Sequence, residues 1–174
     1  MAVRELRHPV VWLTPRLCYA TALAGVAVML GAALYMQHAM GLEPCALCMM
    51  QRIWVAATGV VALIALVHAP VGWGLYLYTG LGGGAALVGG GFSIRQMYLQ
   101  SLPPDQVPAC GPSLDYMLEV FPLSEVLEVM ITGTGDCAVV QWSLLGLSIP
   151  GWTLIGFIGL AALFGASVFA QRNR

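Results

Sequence analysis

The hydrophobic positions of this chain fall into runs too long for a water-soluble helix. Leu17 to Met36 is 20 residues without a formal charge, and about 20 mostly apolar residues cross a bilayer core. Ile53 to Val67 is 15 residues, but carrying it back to Cys45 gives 23 and encloses Arg52. Val71 to Ile94 adds 24 and Leu144 to Ala170 adds 27. Pro150, early in the last run, is placed to start or kink that helix. The pattern predicts an all-α membrane protein, a four-transmembrane-helix bundle forming one domain over residues 1–174. Its spans lie at about 17–36, 46–67, 71–94 and 144–170. The alternative for the first run, a cleaved leader, is disfavoured because the run continues to Met36, past the usual length of a leader's apolar segment.

Unequal loops join these spans. Residues 37–45 make a short one, His68 to Pro70 a tight turn, and residues 95–143 by far the longest. Within the last, Ser113 to Met130 has helical periodicity. Leu114, Met117, Leu118 and Phe121 share one face; Leu123, Val126, Leu127 and Met130 share another, with Pro122 between the two. Asp115, Glu119, Glu125 and Glu128 supply the polar side. Such an amphipathic segment either lies flat on the bilayer or caps the bundle. The third span carries clustered glycines at Gly80, Gly82 to Gly84 and Gly89 to Gly91, which points to close helix packing where no hydrophobic force drives association.

Composition agrees: 59% of the residues are hydrophobic, 9% charged, and the mean hydropathy is +0.83. A soluble domain carries about 25% charged residues, so a cytosolic enzyme, a disordered chain and a nucleic-acid binder are excluded. Charge then orients the bundle. There is no lysine; Arg4, Arg7 and Arg16 precede the first span and Arg172 and Arg174 follow the last. The long loop holds Asp105, Asp115, Glu119, Glu125, Glu128 and Asp136. Arginine accumulates on the cytoplasmic side, and an even number of spans returns both tails to one side. Both termini are therefore expected to be cytoplasmic, with loops 37–45 and 95–143 on the outer face, the periplasm of a bacterium.

Five cysteines carry the candidate chemistry. Cys45, Cys48, Cys110 and Cys137 lie on the outer side or at its membrane border, and Cys18 near the opposite face. Four cysteines admit three disulfide pairings, and spacing does not choose among them. Cys45-Ala46-Leu47-Cys48 is a C-x-x-C. Structural disulfides are one reading, since the outer compartment is oxidising. A metal site would show two close cysteine pairs, and a haem attachment site needs histidine where Met49 stands. The third reading is redox catalysis.

Arg52 favours the third. It stands four residues after Cys48, a neighbour on a helix, at the positive end of the helix dipole. Both effects favour a thiolate, the form that attacks disulfides. An arginine inside a membrane helix is costly and marks function more often than ornament. Cys110 follows Pro104-Asp105-Gln106-Val107-Pro108-Ala109, an extended stretch that a second protein could reach. Cys137 follows Thr132-Gly133-Thr134-Gly135-Asp136, read as a flank flexible enough to swing.

Gln37-His38-Ala39-Met40 and Pro44-Cys45-Ala46-Leu47-Cys48-Met49-Met50-Gln51-Arg52 closely resemble the motif of the disulfide bond formation protein B (DsbB) family. So do Gly135-Asp136-Cys137-Ala138, Gln141-Trp142 and Leu145-Gly146-Leu147. The resemblance covers nearly the whole chain. It implies a thiol–disulfide oxidoreductase of the bacterial inner membrane, active on the periplasmic side, that re-oxidises the thioredoxin-fold oxidant DsbA and passes electrons to a membrane quinone.

The catalytic residues it implies are Cys45, Cys48, Cys110 and Cys137, paired as Cys45–Cys48 and Cys110–Cys137, with Cys110 meeting DsbA. The cofactor is ubiquinone or menaquinone, held by Arg52, with His38 and Arg95 as further candidates. No metal and no nucleic acid enter the expectation. Gln51 departs from relatives that have an acid there, and Cys18 is outside the motif. A vitamin K epoxide reductase-like enzyme, which also pairs loop cysteines with a membrane C-x-x-C, matches the motif order less well. A membrane metal-binding protein and a disulfide-braced structural or transport protein are the alternatives from other classes.

Overall fold

The computed structural model describes residues 14–112 and 114–172. Arg4, Arg7 and Arg174 of the charge argument, and Ser113 of the amphipathic segment, lie outside the described residues.

Helix α1 spans Pro15–Ala39. Thr14 caps it by accepting the Leu17 N–H at 3.1 Å, and Pro15 occupies a first-turn position where no amide hydrogen is needed. Helix α2, Ala46–His68, ends on Ala69 in the left-handed region (φ 49°), whose N–H bonds the carbonyl of Ala65. Helix α3, Trp73–Ser101, is the longest at 29 residues. The long loop holds the short helix α4, Leu114–Val120, and α5, Leu123–Thr132, separated at Pro122 as the pattern predicts. A 3₁₀ turn follows at Gly135–Ala138, and the chain closes with α6, Ile149–Arg172.

By length and composition α1, α2 and α6 are apolar enough to cross a membrane. The glycines and tyrosines of α3 dilute its hydropathy, but it packs as the fourth member of the bundle. Contact runs around a ring, α1 on α2, α2 on α3, α3 on α6 and α6 on α1. The central core joins Tyr19, Ala22 and Val26 of α1, Val55 and Ala62 of α2, Ala86 of α3, and Phe157, Leu160 and Phe164 of α6. Two of the clustered glycines make the α3–α6 contact: a Cβ on Gly82 would enter the ring of Phe164, and one on Gly89 the ring of Phe157.

The helices differ from the apolar runs at two ends. Helix α3 continues past Ile94 to Ser101, because a helix is propagated by its hydrogen bonds and does not stop at the first charged residue. The last run loses its start: Ser143–Leu144 and Leu147–Ser148 form a two-residue antiparallel hairpin. Its turn places Leu145 (φ 53°) and Gly146 (φ 79°) in the left-handed region, and Trp152 Nε1 donates to the Leu144 carbonyl. Pro150 is then the second residue of α6 and starts it without a kink.

Helix α5 rests on α2, and the 3₁₀ turn on both α3 and α2. There a second core forms, from Ala46, Leu47, Leu99 and Cys137. This small cluster anchors the long loop over the start of α2.

Candidate active site

Cys45 is the residue on which α2 begins. Its backbone is extended (φ -73°, ψ 170°) and its side chain does not cap the helix. Cys48 lies in the first turn, so the C-x-x-C geometry follows from helical spacing, and the two sulfurs stand 2.9 Å apart as free thiols.

Cys137 arrives from the 3₁₀ turn and is fully buried. Its sulfur lies beside the Cys45 thiol and the backbone N–H groups of Leu47 and Thr134. These contacts, that with Cys45 foremost, hold the Cys137 thiol at about 6, well below the ordinary value. The partner moves the other way: its contacts with Cys137 and then with Cys48, together with burial, push the Cys45 thiol up.

The flank of Cys137 is packed where a swinging segment was expected. Gly133 sits at φ 81°, and a Cβ there would come within 2.7 Å of Leu47 and 2.9 Å of Leu99. A Cβ on Gly135 would strike the Pro108 carbonyl oxygen and lie 3.2 Å from the Cys110 sulfur. These glycines serve close approach, and the Gly135 N–H also bonds the Ala109 carbonyl at 3.1 Å. Cys110 is thus held on the outside of the same turn, exposed, with the Asp136 carboxylate beside its sulfur. That hydrogen bond and the negative charge push the Cys110 thiol up.

Arg52 reaches α1, where its guanidinium donates to Gln37 Oε1 and, at 3.1 Å, to the Ala33 carbonyl. Its charge is therefore fixed in place without a bond to Cys48. Both residues line one cavity of about 360 Å³ between α1, α2 and α6, walled by Val28, Met36, Val55 and Trp152. Val28 is 71% exposed, so the cavity opens on the outer surface of the bundle. His38 and Arg95 line neither this cavity nor the smaller one behind the cysteines. His38 is exposed in the last turn of α1. Arg95 Nε donates to the Thr132 carbonyl at 3.3 Å and its guanidinium lies over the Tyr98 ring, tying α3 to the end of α5.

One site residue escaped the sequence reading. Gln96 of α3 is buried and places its amide nitrogen 3.4 Å from Cys45 Sγ and 3.3 Å from Cys48 Sγ. The signal was available: an amide in a membrane helix costs free energy unless it is partnered. It sits just beyond the charged residue that ended the apolar run.

A four-helix membrane bundle that seats a dithiol between a surface-loop cysteine pair and a cavity open to lipid defines a membrane thiol–disulfide oxidoreductase. The family described as Disulfide bond formation protein DsbB matches residues 15–167, and the chain belongs to it. Disulfide bond formation protein B of Hahella chejuensis is 54% identical over 163 residues, covering 94% of this chain and 98% of that protein. The protein of the same name from Marinobacter nauticus is 52% identical over 149 residues, covering 83% and 85%. That of Stutzerimonas stutzeri is 45% identical over 148 residues, covering 85% and 91%. The chain is accordingly a multi-pass protein of the bacterial inner membrane and a quinone-dependent oxidoreductase of disulfide formation.

Proposed function

We propose that the four outer cysteines form one electron relay, from Cys110 through Cys137 and Cys45 to Cys48, that re-oxidises a DsbA-like thioredoxin-fold protein. The observation that carries this reading is the position of Cys45, in reach of Cys48 on one side and of Cys137 on the other. The DsbA thiolate attacks a Cys110–Cys137 disulfide at exposed Cys110, forming a mixed disulfide and releasing Cys137 as a thiolate. Cys137 attacks Cys45 in a Cys45–Cys48 disulfide, and the bond to Cys48 breaks with Cys48 taking the electron pair. The second DsbA thiol then displaces Cys110, and Cys110 displaces Cys45 from Cys137. The Cys110–Cys137 bond is thereby restored and the C-x-x-C left reduced.

The cavity beside Cys48 and Arg52 fits a quinone head group: its walls are mostly apolar with Glu43, Gln51 and Gln141 among them, its mouth faces lipid, and its cation is fixed. When bound, a quinone supplies the sink for two electrons and two protons as the Cys45–Cys48 bond re-forms. In this reading Arg52 would hold the head group and stabilise negative charge developing beside Cys48. Gln37 and the Ala33 carbonyl keep its guanidinium aimed.

The test is anaerobic mixing of the purified protein with reduced DsbA and ubiquinone or menaquinone, following quinone absorbance. Reduction should vanish in Cys48→Ser. In Arg52→Ala it should slow or need more quinone. A folded parent protein that reduces neither quinone sinks the reading.

A further inference from the structure

We propose that Gln96 is a further catalytic residue of this site, a fixed amide donor to the Cys48 thiolate, and that Gln51 is the positioning residue that aims it. Both side chains are buried, Gln51 at 3% and Gln96 at 4% exposure, inside the contact between α2 and α3. Gln51 Nε2 donates to Gln96 Oε1 at 2.7 Å. With that oxygen occupied, the Gln96 amide presents its Nε2 hydrogens to the two sulfurs, 3.4 Å from Cys45 and 3.3 Å from Cys48.

Chemistry suits the arrangement to a dithiol that opens and closes. A carboxamide does not titrate in the working range, so it stabilises a thiolate without taking its proton or losing its own. The same group serves the protonated form, since Cys48 Sγ can give a thiol hydrogen to Gln96 Oε1 at 3.6 Å. Hydrogen bonds to a charged acceptor are the strong ones, and more so in a site that excludes water. One amide bridging both sulfurs also keeps them within reach of each other after the bond between them opens.

Gln51 acts only through Gln96. Without its donation, the Gln96 amide is free to turn its oxygen toward the sulfurs and oppose the thiolate. Helix-to-helix glue is the competing account, and it predicts an effect on stability alone.

The proposal rests on Cys48 being the cysteine that holds the leaving electron pair, so its test is separate from turnover. The full chain carrying Cys18→Ser, Cys45→Ser, Cys110→Ser and Cys137→Ser leaves Cys48 as the sole cysteine. Its alkylation by iodoacetamide is followed from pH 5 to 10 in lipid nanodiscs. Adding Gln96→Leu should slow alkylation at pH 7 by about tenfold and displace the profile upward by about one pH unit. Gln51→Leu should displace it in the same direction by less, and should add nothing once Gln96→Leu is present.

Gln96→Glu is the isosteric second variant: its ionised carboxylate offers no donor, so the upward displacement should be at least as large. It carries the test if Gln96→Leu does not fold. Thermal unfolding of each variant separates loss of glue from loss of the donor. An unchanged profile in folded Gln96→Leu or Gln96→Glu overturns the role of Gln96. A Gln51→Leu effect that persists without Gln96 overturns the relay. Failure of the parent protein to reduce quinone would instead sink the reading of Cys48 and leave the alkylation result standing.

Discussion

Cys137 and Cys110 belong to the same long loop, on either side of α4 and α5, and carry opposite chemistry because their neighbours differ. Cys137 faces a thiol and backbone N–H donors; Cys110 faces a carboxylate. Since the Cys137 thiol is lowered to about 6, it is a thiolate at neutral pH and becomes protonated as pH falls through that value. The value belongs to the fully reduced site, where Cys45 is a thiol: the thiolate absorbance of the reduced protein, less that of Cys137→Ser, should be flat near neutrality and fall away below about pH 6. At Cys110 the sign is reversed. Asp136→Asn removes the charge that disfavours its thiolate, so alkylation of reduced Cys110 should speed up and its pH profile should move down. No movement would show that the carboxylate is not the cause.

Packing between elements is decided by where side chains are missing. On α3 the faces of Gly82 and Gly89 receive the rings of Phe164 and Phe157, whereas Gly84 has open space around it. Gly82→Ala and Gly89→Ala should each destabilise the bundle by about 1–3 kcal/mol in reversible detergent unfolding, the usual cost of overpacking. Gly84→Ala should be neutral or slightly stabilising, because alanine is the better helix former. Equal effects at all three positions would mean that the glycines act through helix propensity and not through the α3–α6 contact. The glycine cluster was visible in the sequence, but its division into packed and open faces was not. That depends on which residues of α6 lie opposite. Likewise Gln96 follows a charge that ends the apolar run, yet α3 carries it inward to the cysteines.

For the molecule as a whole, the hairpin, the 3₁₀ turn and the start of α2 converge at one end of the bundle, the end that the arginine bias leads one to expect on the outer side of the membrane. An alkaline phosphatase reporter should be active when fused within the exposed loop at Asp105 and inactive when fused at the C-terminus. The reverse pattern would invert the topology. Cys45, Cys48, Cys110 and Cys137 all lie at that end; the opposite half holds buried Cys18 and a hydroxyl cluster in which Ser167 lies 3.2 Å from Thr79 and donates to Tyr19 at 3.3 Å. The bundle thus separates a half packed around Tyr19 and Phe164 from a half that presents thiols to a loop on one side and to a cavity on the other.

Helix class, number of long helices, the charge bias behind the expected orientation, the C-x-x-C and its arginine were legible in the sequence alone. Each depends on residues near one another along the chain, through hydropathy, helical spacing or charge near a membrane end. The tertiary structure decided what needs distant segments to meet. It brought Cys137 against Cys45, packed the glycine flank that looked mobile, and turned Arg52 onto α1. It also kept His38 and Arg95 away from the cavity and set Gln51 and Gln96 across the α2–α3 contact. Those outcomes follow from side-chain packing and hydrogen-bond geometry in three dimensions, and no local pattern of residue types encodes which of several polar neighbours a buried group will find.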